Sequence, residues 1–330
     1  MLDLITFGEA MARLSTPDFK RLEQTTTLDV NIGGAEMNVS VAAARIGLKS
    51  SFVTALPSNP LGRMVANKAR EHGVDTADIV WSDNARAGLY FVEFGTAPRA
   101  TAVLYDREDS AFAKIQPGSI DWEKLLSRTR VFHTTGITPG VSVNAGKVAM
   151  EALAEARRQK VLVSFDVNYR ERLWDEERAR AVLVPMMEYV DLLFVTESDA
   201  TRVLGIAAGD SEKTAQSIFE KFGTGVIVTT ASGASIREGK GHAAAAYAGG
   251  RFYTERGYRV ETVDRIGAGD TFVAGFLYSY LSDQSDIQRA LQYGVAISAL
   301  KHTFPGDLSW ITREEVERLI GEKENREISR

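Results

Sequence analysis

The chain has 330 residues, 44% apolar and 25% charged, with a formal net charge of −5 and no cysteine. So mildly acidic a balance offers no basic face for nucleic acid, and without thiols there is neither a disulfide framework nor a thiolate metal site. The four histidines, His72, His133, His242 and His302, match no metal-ligand spacing, and no run of about 18 apolar residues suggests a membrane span.

In chain order, LDLITFG reads as a buried strand, and EMNVSVAAARIG as an Ala-rich helix ended by Gly47. No basic leader precedes them, so a cytoplasmic protein is expected. SSFVTALP reads as a strand and LGRMVANKAREHG as a helix stopped by Gly73. RVFHTTG, VLVSFDVN, DLLFVT and GVIVTTA are further short strands rich in β-branched residues. Helical patterns in VNAGKVAMEALAEARRQK, DEERARAVLVPMMEYV and DSEKTAQSIFEKFG alternate with them. Such alternation predicts α/β crossovers and a mostly parallel sheet covered on both faces.

Two stretches break the rhythm. Residues 12–32 are polar and extended, and AGLYFVEFGTAPRATAVLY (87–105) reads as two strands joined by a turn. Together they predict a small sheet outside the main one, a lid, with an edge hairpin of the main sheet as the alternative. Near the end, YRVETVD reads as strand-like, and AGDTFVAGFLYSYL, DIQRALQYGVAISALKHT and TREEVERLIGEK as helices. No repeat or Pro-rich linker divides the chain. The expectation is a single domain over 1–330, with lid segments at about 12–32 and 87–113 inserted.

Gly267, Ala268 and Gly269 stand where the chain enters a helix, with Asp270 directly after them. The first N–H groups of a helix lack intrahelical partners, and bare glycine lets an anion approach them. A tight turn capped by Asp270 is the plainer alternative. The Walker spacing and the dinucleotide G-x-G-x-x-G are both absent. An acid beside an anion-binding backbone repels a phosphate merely held there. It makes sense as a base that takes the proton of a hydroxyl attacking phosphorus. A second cluster, NIGGAEMN, opens a helix with Gly33 and Gly34 and places Asn38 one turn in.

GGAEMN together with DRIGAGD resembles the paired signatures of the ribokinase-like (PfkB-type) carbohydrate kinases, over about residues 3–310. The resemblance implies a three-layer α/β/α sandwich with a mostly parallel sheet and a small β-sheet lid. It implies ATP and Mg2+ as cofactors, an anion hole from Gly267, Ala268 and Gly269, and Asp270 as catalytic base. DVNYRERLW (166–174) and YDRE (105–108) further resemble the subgroup acting on 2-keto-3-deoxygluconate. In this sequence the matching substrate positions are Gly34, Ala35, Glu36, Met37, Asn38, Tyr90, Tyr105, Arg107 and Arg170, with Asp270. The nucleotide positions are Asn168, Arg170, Thr229, Ser232, Gly233, Gly267 and Gly269.

Arginines suit a carboxylate, whose geometry their planar fork matches, although Arg107 and Arg170 also read as surface partners of Glu108 and Glu171. The expected reaction is therefore ATP-dependent phosphorylation of the sugar acid at its 6-hydroxyl. Fructokinase, ribokinase, 5-dehydro-2-deoxygluconokinase, a nucleoside kinase and a non-catalytic sugar-acid sensor remain alternatives. Two departures stand out. Thr196 and Asp199 replace the family's Asn and Glu, which leaves the metal ligands open, Asp199 acting through water. Arg265 replaces a common Thr, and both an assisting and a solvent-facing role stay open for it. In KHTFPGD, His302, Gly306 and Asp307 read by position as bordering adenine or substrate, with a helix-end histidine as an equal alternative for His302. Apolar residues on both faces of LYFVEF predict a homo-oligomer through the lid sheet.

Overall fold

The computed structural model describes residues 1–207, 209–230 and 242–328. Its strands are β1 (Leu2–Phe7), β2 (Met11–Ser15), β3 (Asp29–Gly33), β4 (Ser50–Val53), β5 (Ala55–Pro57), β6 (Val80–Ser82) and β7 (Gly88–Glu93). They continue with β8 (Ala102–Asp106), β9 (Thr129–Thr135), β10 (Leu162–Asp166), β11 (Leu192–Thr196), β12 (Val226–Thr230), β13 (His242–Ala248) and β14 (Arg251–Arg256). Among the described residues the main sheet has eight strands in the order β14-β13-β12-β11-β10-β9-β1-β4. It is parallel from β4 to β12, with β13 and β14 closing one edge as an antiparallel hairpin.

Successive residues of the central strands sort onto opposite faces. Leu193 and Val195 of β11 join one apolar cluster and Leu192 and Phe194 the other. The first cluster packs under the helix Val143–Gln159, the second under Ala268–Ser282 and Ile287–Lys301. This is the expected three-layer α/β/α sandwich, and it explains why these strands are apolar throughout rather than alternating.

A second sheet, β3-β2-β7-β8, lies apart from the first in hydrogen bonding. β7 and β8 are the expected antiparallel pair, and β2 joins β7 in parallel register, Arg13 opposite Tyr90. Val30 and Leu104 are exposed on it. The predicted strand SSFVTALP is broken in two: β4 stays in the main sheet and β5 pairs instead with β6.

One local expectation is corrected and one element was not foreseen. YRVETVD is not a strand; it runs as irregular chain whose Val263 and Asp264 N–H groups donate to the His302 carbonyl. The edge hairpin went unpredicted because HAAAAYA has helical composition. Gly249 and Gly250, both at positive φ, turn the chain back so that the alanines pair with β12 and β14.

Candidate active site

A cavity of about 790 Å3 opens at the carboxyl ends of β10, β11 and β12, with the small sheet over one side. That is the edge where open α/β sheets gather ligands, because the crossovers leave a crevice there. Of the sequence-predicted residues, Gly34, Ala35, Asn38, Tyr90, Tyr105, Arg107, Asn168, Arg170, Gly267, Gly269 and Asp270 line it. Asp199, Thr196 and Arg265 line it too.

Gly267 is the N-cap of the helix Ala268–Ser282, at φ +84°, and Asp270 stands in its first turn. Asn38 donates from Nδ2 to Asp270 Oδ2 at 2.7 Å, while its Oδ1 accepts the Gly34 N–H at 3.4 Å. One amide thus joins the two glycine clusters and orients the carboxyl. Burial pushes the Asp270 carboxyl up to about 6; Asn38, Arg170 and Lys301 oppose that shift and Asp307 adds to it. Asp166, at the end of β10, is pushed to about 8, chiefly by burial and then by Asp270 and Asp199. Three acids and Arg170 therefore share one electrostatic neighbourhood.

Several predicted residues lie elsewhere. Met37 is fully buried in the core behind the site. Glu36 is buried below the floor, accepting from Thr135 N, Thr135 Oγ1 and Thr138 Oγ1 at 2.7–3.1 Å, its carboxyl raised to about 7 mainly by desolvation. It ties the helix Ala35–Arg45 to β9 and does not reach the cavity. Ala268 and Thr229 are buried off the cavity wall, and Thr230 lines it instead. Ser232 and Gly233 lie outside the described residues. His302 caps the helix Ile287–Lys301, its Nδ1 2.8 Å from the Ser298 carbonyl oxygen, which fits the helix-end alternative.

On the small-sheet side, the Tyr90 hydroxyl donates to Asp307, and its ring stacks on Tyr105 at 5.8 Å. Arg107 does not pair with Glu108. It donates to the buried Glu9, from Nε at 2.8 Å and also from Nη2, and Ser110 Oγ donates to the same carboxylate. Glu9 and Asp166 were missed in the sequence, whereas Asp307, read there as bordering adenine or substrate, does line the cavity. Glu9 and Asp166 do carry a signal, an acid at the carboxyl end of a predicted parallel strand.

Glu9 changes what Arg107→Ala should do. Truncation strands a carboxylate that is 3% exposed, so about 3 kcal/mol of stability should be lost whatever the substrate. Chemical denaturation measures it, and Glu9→Gln in the same chain should recover much of the loss. An unchanged unfolding midpoint for Arg107→Ala would show that the pair carries no such weight.

The pfkB family carbohydrate kinase model matches residues 1–310. A 2-dehydro-3-deoxygalactonokinase of Haloferax volcanii is 37% identical over 318 residues, 96% of each chain. A 2-dehydro-3-deoxygluconokinase of Thermoproteus tenax is 30% identical, covering 93% of this chain and 90% of its own. Among solved structures, the 2-dehydro-3-deoxygluconokinase of Thermotoga maritima superposes with a TM-score of 0.90 at 39% identity, over 97% of this chain and all of its own.

Proposed function

The chain belongs to the pfkB family of carbohydrate kinases, and on that premise we propose that it transfers the γ-phosphate of ATP to the 6-hydroxyl of 2-keto-3-deoxygluconate, giving 2-keto-3-deoxy-6-phosphogluconate. The observation carrying this reading is one cavity that joins Asp270, at an open helix start, to Arg107, Arg170, Tyr90 and Tyr105. The first group suits phosphoryl transfer and the second a hydroxylated carboxylate. The relatives named above act on sugar acids of this kind by their names.

In this reading Asp270, held by Asn38, takes the proton of the attacking hydroxyl. The free N–H groups at the start of Ala268–Ser282 receive the charge that builds on the transferring group. Gly269 fits that use: among the described residues no atom outside its own turn of the helix stands within 4 Å of where its Cβ would be, so a phosphate can lie against the backbone. Arg170 faces both halves, with Asn168 and Thr230 toward the nucleotide, and Gly34, Ala35 and Asn38 against the sugar.

ATP supplies the phosphoryl group, and Mg2+ neutralises its charge. Among the described residues no group of three or more acids and histidines is disposed to hold a metal. The ion would thus rest mainly on phosphates and water, with Asp199 reaching it through water. The same reading pairs two copies through the small sheet, where Val30 and Leu104 are exposed.

A second reading is the galactonate epimer, favoured by the Haloferax volcanii relative. The two acids differ at one carbon, and both carboxylates suit the same arginines. An ADP-release panel should give turnover on 2-keto-3-deoxygluconate, its galactonate epimer or both, with kcat/KM at least about tenfold lower on fructose and ribose. That margin is the worth of one charge-assisted hydrogen bond. Equal efficiency on a neutral sugar sinks the sugar-acid assignment.

A further inference from the structure

Arg13, on β2 of the small sheet, is 1% exposed and does not line the cavity. Its three nitrogens donate to three acceptors: Nε to Ser15 Oγ at 2.8 Å, Nη1 to Asp307 Oδ2 at 2.6 Å and Nη2 to Asp264 Oδ2 at 2.7 Å. Both acids frame the turn that ends at Asp270. Asp264 accepts the Ile266 N–H at 3.0 Å and the Gly306 N–H at 3.1 Å. The Asp307 carbonyl lies directly against Gly267, and its carboxyl accepts from Tyr90. Lys301, fully buried and without a hydrogen-bond partner among the described residues, feels the charge of the same two acids. Two basic and two acidic side chains therefore gather in one buried cluster behind the turn.

A buried cluster of this kind is a poor source of stability, since apolar side chains of similar volume hold elements together at least as well. Apolar contacts do not fix direction, and a guanidinium fork does. We infer that Arg13 is a positioning residue for phosphoryl transfer, fixing both sides of the Gly267–Asp270 turn from the small sheet. The inference rests on the reading that phosphoryl transfer takes place at that turn.

Arg13→Lys and Arg13→Gln, made in the intact chain, test it through folding, kcat and both KM values. Lysine keeps the charge but not the fork. Its kcat should fall about 10-fold and that of Arg13→Gln about 100-fold, the cost of a roughly 1 Å misplacement. KM for ATP and for the sugar acid should stay within about threefold, because neither touches Arg13. If Arg13→Gln does not fold, Arg13→Lys decides. A folded Arg13→Lys enzyme with wild-type kcat overturns the inference, as does a loss expressed wholly in KM. Failure of both variants to fold also overturns it, since the role is then structural. Asp270→Asn run alongside separates the two layers: if it retains turnover the reading of the turn fails, and if it is inactive while Arg13→Lys is normal, only this inference fails.

Discussion

Asp270→Asn should lower turnover by about three orders of magnitude, within the range that a positioned general base contributes, and leave a folded protein at least as stable as the parent. Asparagine keeps the shape of the side chain, and its carbonyl can still accept from Asn38. It cannot take a proton. The sign of the stability change follows from the raised carboxyl. Its folded value of about 6 lies above the ordinary value of 3.8, so the folded state binds the proton more tightly than the unfolded state. Stability from this group is therefore present below about pH 4 and is lost as pH rises through 6. Asparagine does not carry that penalty, and at pH 7 the variant should gain roughly 1–3 kcal/mol. In the parent, kcat/KM should fall below about pH 6 as Asp270 protonates, rather than near pH 4. Steady-state kinetics from pH 5 to 8, with thermal unfolding at pH 7, measure both halves. Turnover within a few-fold of the parent would refute the base assignment.

Gly267→Ala and Gly269→Ala, two residues apart, should fail for different reasons. Gly267 sits at φ +84°, where an L side chain is strained, and a methyl there would stand inside contact distance of the Asp307 carbonyl. Backbone on both sides leaves nothing flexible to give way, so the turn must move. Stability should fall by roughly 1–3 kcal/mol and kcat by about 100- to 1000-fold, as when a donor aimed at the developing charge is lost. Gly269 is helical and open, so alanine there should be neutral or stabilising by up to about 1 kcal/mol. Its methyl would nonetheless stand on the cavity wall where a phosphate must approach. KM for ATP should rise about tenfold or more, one charge-assisted hydrogen bond being at stake. Melting curves and ATP titrations separate the pair. Gly269→Ala with unaltered ATP kinetics would remove the phosphate from that stretch of backbone.

The parts of this protein legible in its sequence are those with a local signal. Apolar strand runs between amphipathic helices led to the parallel sheet and its two covered faces, and GGAEMN with DRIGAGD led to the family. The polar stretch at 12–32 and the paired strands at 87–105 pointed to a second sheet because neither fits a crossover. What stayed hidden depends on residues far apart in the chain. Nothing near Arg13 announces Asp264 or Asp307, which lie 251 and 294 residues away. Arg107 has an acid beside it at Glu108, yet its partner is Glu9, 98 residues back. Asn38 was read as facing a ligand, and the further fact that it holds Asp270 comes only from folding. YRVETVD misled, and HAAAAYA drew no assignment, for the same reason: intrinsic preference yields to what the neighbouring elements offer, a carbonyl at His302 in one case and a waiting sheet edge in the other.

The small sheet is sewn to the main body at four crossings: between β1 and β2, after β3, before β7 and after β8. Its two halves come from chain segments more than fifty residues apart and are joined by the parallel pairing of β2 with β7 and by side-chain bonds from Arg21 to Glu93 and from Arg99 to the Phe19 carbonyl. A unit made in this way has no single pair of ends by which recombination could lift it out or graft it elsewhere. Excising either half would orphan the other and break the chain path on both sides of the cavity. Change in acceptor preference within such a lineage should thus proceed by point substitution on β7 and β8, residue by residue, and not by exchange of the whole cover. Loop grafts between family members should be least tolerated here and best tolerated at the hairpin turn Gly249–Gly250, which follows Ala248 beside Val226 at the start of β12, the end of the sheet away from the cavity.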